Sequence, residues 1–270
     1  MAWPSETLLT GVELPRRRVR VLSAPLSGAH VSTPASSSGT STSAGQHAAG
    51  TRTIVIGGAG RTGRRITARL LQRGGEVRVL SRRLSDRAVP DVEQVRGDLR
   101  AFDAGVLAGM TGVVITVEPP YDAAGAEAVM HRGVADVASA AARAGIPVVL
   151  VSQIYITRPD AQPQLRDVIA ARGRGEQALR DSGASYAIVR PGWLTDDPPS
   201  GVRLAQGDVD DGTVSRDTVA EVCVQVLLRP AAHGRTFEVF DAGRGDGGDD
   251  VDWPRVLDGL TADRGLAGAH

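Results

Sequence analysis

The chain has 270 residues, with 31 basic and 31 acidic side chains, which is room for one α/β domain plus a tail at zero net charge. Zero net charge excludes a nucleic-acid binder held by phosphate contacts, and 3% aromatics leave few stacking platforms for single strands. A single cysteine, Cys223, excludes an intrachain disulfide and a cysteine-rich metal site, and no apolar run is long enough to span a membrane.

Residues 1–50 are read as a disordered, low-complexity extension, residues 51–260 as the folded domain and residues 261–270 as a flexible tail. The stretch "STPASSSGTSTSAGQHAAG" has no hydrophobic period and cannot repay the entropy of ordering. The upstream "PRRRVRVLSAPLSGA" has the basic start of an export signal. Its apolar part is broken by Ser, Pro and Gly, however, so a cytoplasmic, reducing setting is expected.

From Thr53 short β-rich runs alternate with helical ones. The strands are "TIVIGG", "EVRVLS", "VEQVRG", "GVVITV", "IPVVLVS" and "SYAIVRP". Several are apolar throughout, as expected when both faces of a sheet are covered. Between them lie "GRRITARLLQRG", a short segment near Phe102 to Gly109, "AGAEAVMHRGVADVASAAARAG" and "QLRDVIAARGRGEQALRDSG". This alternation predicts an α/β fold, a doubly wound parallel Rossmann sheet, with a small C-terminal substrate-side region after Pro191. That region holds a helix, "TVSRDTVAEVCVQVLLRP", a strand, "RTFEVFD", and a terminal amphipathic turn carrying Trp253, Val256 and Leu257. Cys223 falls on the apolar helix and is expected to be a buried small hydrophobe.

Gly57, Gly60 and Gly63 follow the first strand and open the first helix, in the run "GGAGRTG" with Arg61 and Thr62. A strand turning sharply into a helix needs a residue free to take positive φ, and a pyrophosphate needs close approach to the backbone. The helix start then offers unpaired N–H groups and partial positive charge to that anion. The tip of the second strand, "RVLSRR", has Arg82 and Arg83 where an NAD site would place an acid for the ribose hydroxyls. Arginine there suits a 2′-phosphate, so NADP(H) is expected over NAD(H), with Arg61 closing on the same phosphate.

In order and spacing, "GGAGRTG", "RVLSRR", "RGDL", "VSQIYITRP" and "YAIVRPGWL" resemble the atypical short-chain dehydrogenase/reductases, above all the NmrA-like, NAD(P)-binding branch. The similarity covers roughly residues 52–260. It implies that Asp98 contacts the adenine amino group with Leu99 beside the ring. It further implies that Thr116, Val117, Glu118 and Pro119, then Ser152 and Gln153, face the ribose and nicotinamide. Pro191, Gly192 and Trp193 would lie beside the carboxamide.

The catalytic part of that resemblance is missing. Typical members pair a tyrosine and a lysine, Y-x-x-x-K, on one helical face so that the ammonium lowers the phenol's pKa. Here Val168 and Arg172 stand at those positions, and the chain contains no lysine. Tyr155, Tyr121 and Glu118, at the ends of the fifth and fourth strands, are the candidate substitutes, Glu118 through a pKa raised by burial. Neither His131 nor His233 is expected to have the i, i+4 partner or carboxylate that a metal or a triad would require, so no metal site is expected.

Two functions fit. One is an NADP(H)-dependent oxidoreductase passing hydride to a small organic acceptor, a quinone, flavin or carbonyl. The other is a non-catalytic NADP(H) sensor acting on a protein partner. Neither involves nucleic acid or membrane, and either suits a monomer or homodimer.

Overall fold

The first strand, β1 (Arg52–Ile56), alternates its apolar residues across two covered faces. Ile54 and Ile56 join Val113, Ile115, Val148, Leu150 and Ile188 on one side, and Val55 joins Val114, Val149, Val151 and Val189 on the other. Every one of these side chains is buried, each contributing about 1.5–3 kcal/mol of transfer free energy. The computed structural model that shows this describes residues 48, 50–84, 89, 92–243 and 251–263. Apart from Ala48 and Gly50, the N-terminal extension lies outside the described residues, as do residues 264–270 of the tail.

β1 pairs in parallel with β2 (Glu76–Ser81) on one side and with β4 (Gly112–Ile115) on the other. β3 (Glu93–Arg96) adds to β2, and β5 (Val148–Val151) and β6 (Tyr186–Pro191) continue beyond β4. With β10 (Arg235–Phe240) and β8 (Arg203–Ala205), the strand order is β3-β2-β1-β4-β5-β6-β10-β8. Only β8, at the edge, runs antiparallel. The order reverses between β1 and β4, which opens a crevice at the carboxyl ends of the strands.

Helices α1 (Arg61–Gln72) and α5 (Arg216–Leu227) cover the Val55 face, through Ile66 and Leu70 and through Val219, Val222, Val226 and Leu227. Cys223 is fully buried in α5, and burial pushes its thiol up to about 12. The Ile54 face is covered by α4 (Arg166–Asp181) and by one long helical run. That run, expected as a single helix, is α2 (Ala123–Ala126), a π-helical segment (Glu127–Gly133) and α3 (Val134–Ala144). Two glycines explain how closely this layer packs. A Cβ on Gly133 would sit 2.7 Å from the Leu99 carbonyl oxygen, and one on Gly175 of α4 would overlap the Met130 carbonyl.

The region after β6 holds more strand than its sequence suggests. β7 (Trp193–Thr195) pairs in parallel with β9 (Thr213–Ser215) as a separate two-stranded sheet. The terminal turn is a short helix, α6 (Trp253–Asp258), whose Leu257 joins the α5-side core. The chain is tied down past residue 260. Asp263 accepts hydrogen bonds from the Thr236 amide at 3.0 Å and from the Tyr186 hydroxyl at 2.9 Å. At the other end, Ala48 is fully buried and its amide donates to the carbonyl of Arg73.

Candidate functional site

A cleft of about 1030 Å³ opens at the β1–β4 reversal, lined by the glycine loop, the tips of β2 and β3, and the end of β4. Gly57 makes the turn out of β1 at φ +87°, and a side chain on it would overlap the Thr116 carbonyl oxygen. Gly60 is the residue before α1, and its missing Cβ would touch only the Gly57 carbonyl, at 3.2 Å. No side chain caps α1 and no acid sits in its first turn. The helix start therefore presents its amides and partial positive charge to the cleft, the arrangement an anion needs. Thr62 and Gly63 do not line the cleft. Both are buried, and Gly63 lets α1 pack on the loop, where its Cβ would lie 2.7 Å from Gly58 Cα.

At one end the cleft is basic. Arg82 and Arg83 line it, joined by Arg96 and Arg100, which the sequence reading passed over. Arg100 is occupied: its Nε and backbone amide each donate to Asp98 at 3.0 Å, and this bonding holds the Asp98 carboxyl below the usual range. Arg82, Arg83 and Arg96 form no salt bridge or side-chain hydrogen bond with a carboxylate among the described residues, although the Arg82 charge helps hold the Asp98 carboxyl down. Leu99, 4% exposed, lines the wall beside them.

At the other end stand Thr116, Val117, Glu118 and Pro120. Glu118 accepts from Tyr121 Oη at 3.2 Å and from Arg172 Nη2 at 3.3 Å. Its side chain is 64% exposed, so the burial expected to fit it for acid–base work is absent. Tyr121 lies outside the cleft lining, exposed, and the Glu118 charge raises its pKa. That is the opposite of what an ammonium does for a catalytic phenol. Tyr155 is removed from the cleft altogether. It is 3% exposed, held at φ +73°, and its hydroxyl donates to Asp211. Its ring packs against Trp193, centroids 5.9 Å apart, with the Arg158 guanidinium 4.4 Å above it. Neither tyrosine lines the cleft, whereas Glu118 reaches it as an exposed carboxylate.

Residues 57–230 match the family described as NAD(P)H-binding, well over half of the chain. The chain belongs to the NAD(P)H-binding family. It is 30% identical over 213 residues to an uncharacterized chloroplastic protein of Arabidopsis thaliana, covering 70% of this chain and 76% of that one. It is 32% identical over 202 residues to the (4-alkanoyl-5-oxo-2,5-dihydrofuran-3-yl)methyl phosphate reductase of Streptomyces griseus, covering 69% of this chain and 66% of the reductase. A short-chain dehydrogenase/reductase of Veillonella parvula, solved in complex with NADP, shares the fold with a TM-score of 0.60 at 19% identity. It aligns over 72% of this chain and 95% of that one. The Arabidopsis relative is named as chloroplastic, so a cytoplasmic setting finds no support there. Among the described residues no helix is long and apolar enough to cross a membrane.

For this NAD(P)H-binding protein the site residues divide in two. Gly57, Gly60, Arg82, Arg83, Asp98, Leu99, Thr116, Val117 and Glu118 converge on the cleft. Arg61 does not: its Nη1 lies 2.8 Å from the Asp196 carboxylate. It is the first rung of a ladder in which Arg65 and Arg69 meet Asp217, and Arg69 and Arg73 meet Glu221, across the α1–α5 contact. Ser152, Pro191 and Gly192 are buried behind the lining. Gly192 is a packing glycine, since a Cβ there would overlap the Gly212 carbonyl. Ser152 Oγ, at the end of β5, is buried with no hydrogen-bond partner among the described residues. A dinucleotide fits the residues present: an uncapped helix start, glycines lining the cleft beside it and, at one end, guanidiniums with no salt-bridged carboxylate among the described residues.

Proposed function

We propose that the chain is an NADP(H)-dependent oxidoreductase that passes hydride to a small organic acceptor, a quinone or flavin ahead of a simple carbonyl. The observation that carries the cofactor choice is the set Arg82, Arg83 and Arg96, three guanidiniums with no salt-bridged carboxylate among the described residues, beside an Asp98 already hydrogen-bonded by Arg100. A 2′-phosphate takes charge-assisted hydrogen bonds from such a set, while an unphosphorylated ribose would leave it unsatisfied. The reductase name of the Streptomyces relative and the NADP held by the Veillonella structure support this reading.

The choice of acceptor follows from what is missing. Without a phenol beside an ammonium, hydride transfer suits acceptors whose reduced oxygens or nitrogens take protons from water. When bound, the cofactor supplies the hydride, and the chain supplies grip, orientation and shielding. The same gap favours a second reading, a nucleotide sensor that binds NADP(H) and does no chemistry. One experiment separates them. Purified protein is mixed with NADPH or NADH and with quinones, flavins and aldehydes while the nicotinamide absorbance is followed. Acceptor-dependent loss of absorbance with NADPH supports the enzyme. Tight NADPH binding with no turnover on any acceptor supports the sensor.

A further inference from the structure

The cleft opens at the carboxyl ends of the strands. At the opposite end of β6 stands a pair of side chains outside its lining. Ser185, the residue before β6, is exposed, and its Oγ lies 2.7 Å from Nδ1 of the half-buried His233. His233 follows the turn Pro230–Ala232 between α5 and β10. Two backbone bonds set the pair side by side: the Val148 amide donates to the Ser185 carbonyl at 2.9 Å, and the Gly234 amide to the Tyr186 carbonyl at 2.6 Å. The other ring nitrogen of His233, Nε2, lies 3.1 Å from the Val226 carbonyl oxygen near the end of α5.

A carbonyl oxygen can only accept, so Nε2 carries the proton in this contact and the tautomer is fixed. In the neutral ring Nδ1 then offers a lone pair, and the Ser185 hydroxyl donates to it. Burial, helped by the Arg235 charge, holds the His233 pKa below its ordinary value against the pull of the Val226 bond, so the ring is mostly neutral at pH 7. A hydroxyl bonded to a neutral imidazole that a third group orients from behind is the arrangement that activates a nucleophile. The third group here is a backbone carbonyl, in the place a carboxylate takes in the serine triad.

We propose that Ser185 is an acyl-accepting serine with His233 as its general base, a site separate from the dinucleotide cleft. In the step, Oγ attacks the acyl carbon while its proton passes to Nδ1. The bond from that carbon to the leaving oxygen breaks and the proton follows onto the oxygen, giving an acyl-serine ester and the protonated leaving group. An exposed hydroxyl meets its donor from solvent, so the donor is small and self-activated, an aryl ester or acyl phosphate whose leaving group departs with little help. The chain has no lysine, and Cys223 is buried with its thiol pushed up to about 12. The side chains that most readily take acyl groups therefore do not compete.

The test mixes the full chain with p-nitrophenyl acetate, follows nitrophenolate release and then locates the acetyl group by peptide mass mapping. About one acetyl per chain should appear, on Ser185, and Ser185→Ala should lose it. Loss of a general base costs about 100-fold or more, so His233→Ala should acetylate that much more slowly. The wild-type rate should climb with pH as the imidazole gives up its proton and then level off, with a midpoint below about 6.5. No acetyl on Ser185, or equal rates in His233→Ala and wild type, overturns the proposal. Should His233→Ala fail to fold, the pH profile decides, and a rate with no inflection in the imidazole range overturns it too.

Discussion

The Arg61 guanidinium and the Asp196 carboxylate, 135 residues apart in sequence, lie 2.8 Å from each other and tie the first turn of α1 to the end of β7. Both are well exposed, so this rung adds little stability by itself. The weight falls on the next rung, where Asp217, 31% exposed, takes Arg65 at 2.9 Å and Arg69 at 2.8 Å. Burial works to raise the Asp217 carboxyl, but hydrogen bonds from the two arginines outweigh it and hold it below its usual value. Asp217→Asn should cost about 1 kcal/mol at neutral pH. A depressed folded pKa contributes fully above the unfolded value of about 3.9 and is lost as pH falls through the lower folded value. Thermal melts should therefore show the variant below wild type at pH 7 and the two converging in strong acid. A gap that persists in acid would mean the carboxylate charge is not what matters.

Gly57 and Gly60 should fail differently. Gly57→Ala puts a Cβ into the Thr116 carbonyl at a backbone angle that side chains avoid, so it should cost the fold about 2–4 kcal/mol. Gly60 has an ordinary extended backbone, and a Cβ there would meet only the Gly57 carbonyl, at 3.2 Å. Gly60→Val should lower the melting temperature less than Gly57→Ala does and abolish NADPH binding. Intact affinity in a titration of Gly60→Val would remove the glycine loop from the site.

Arg96→Ser should weaken NADPH by roughly 10- to 100-fold, the worth of one or two charge-assisted hydrogen bonds, and leave NADH within about twofold. Equal losses would show that Arg96 shapes the cleft wall and does not meet a phosphate. Arg82→Glu should show the same selectivity more strongly, because it also reverses a charge.

Tyr155→Phe tests a scaffold residue. It removes the hydroxyl given to Asp211 and keeps the ring under Arg158 and against Trp193. Stability should fall by about 1 kcal/mol. Any NADPH oxidation rate should stay within roughly twofold of wild type, whereas a hundredfold loss would restore Tyr155 to the chemistry.

The glycine loop and the parallel sheet were legible because their causes are local: an apolar strand, a turn that needs glycine, and a helix start follow one another within a dozen or so residues. Partner choice was not legible, since it is made across the fold. Arg61 reads as a phosphate ligand until the end of β7 supplies Asp196, while α5 offers Asp217 and Glu221, four apart, to the arginines four apart that follow it on α1. That matched spacing was present in the sequence and is the signal that was missed. Arg96 looked like an ordinary strand residue, and only the pairing of β3 with β2 brings it beside Arg82. β7, β8 and β9, three residues each, are too short to show a period and exist through partners far along the chain.

The contact of Gly133 and Gly175 with neighbouring carbonyls has a mechanical result. Where backbone meets backbone no side chain is left to swing aside, so the π-helical segment, α4 and the turn at Leu99 move as one block. A side chain added at either glycine would have to push whole backbone segments apart and could not be absorbed by a change of rotamer.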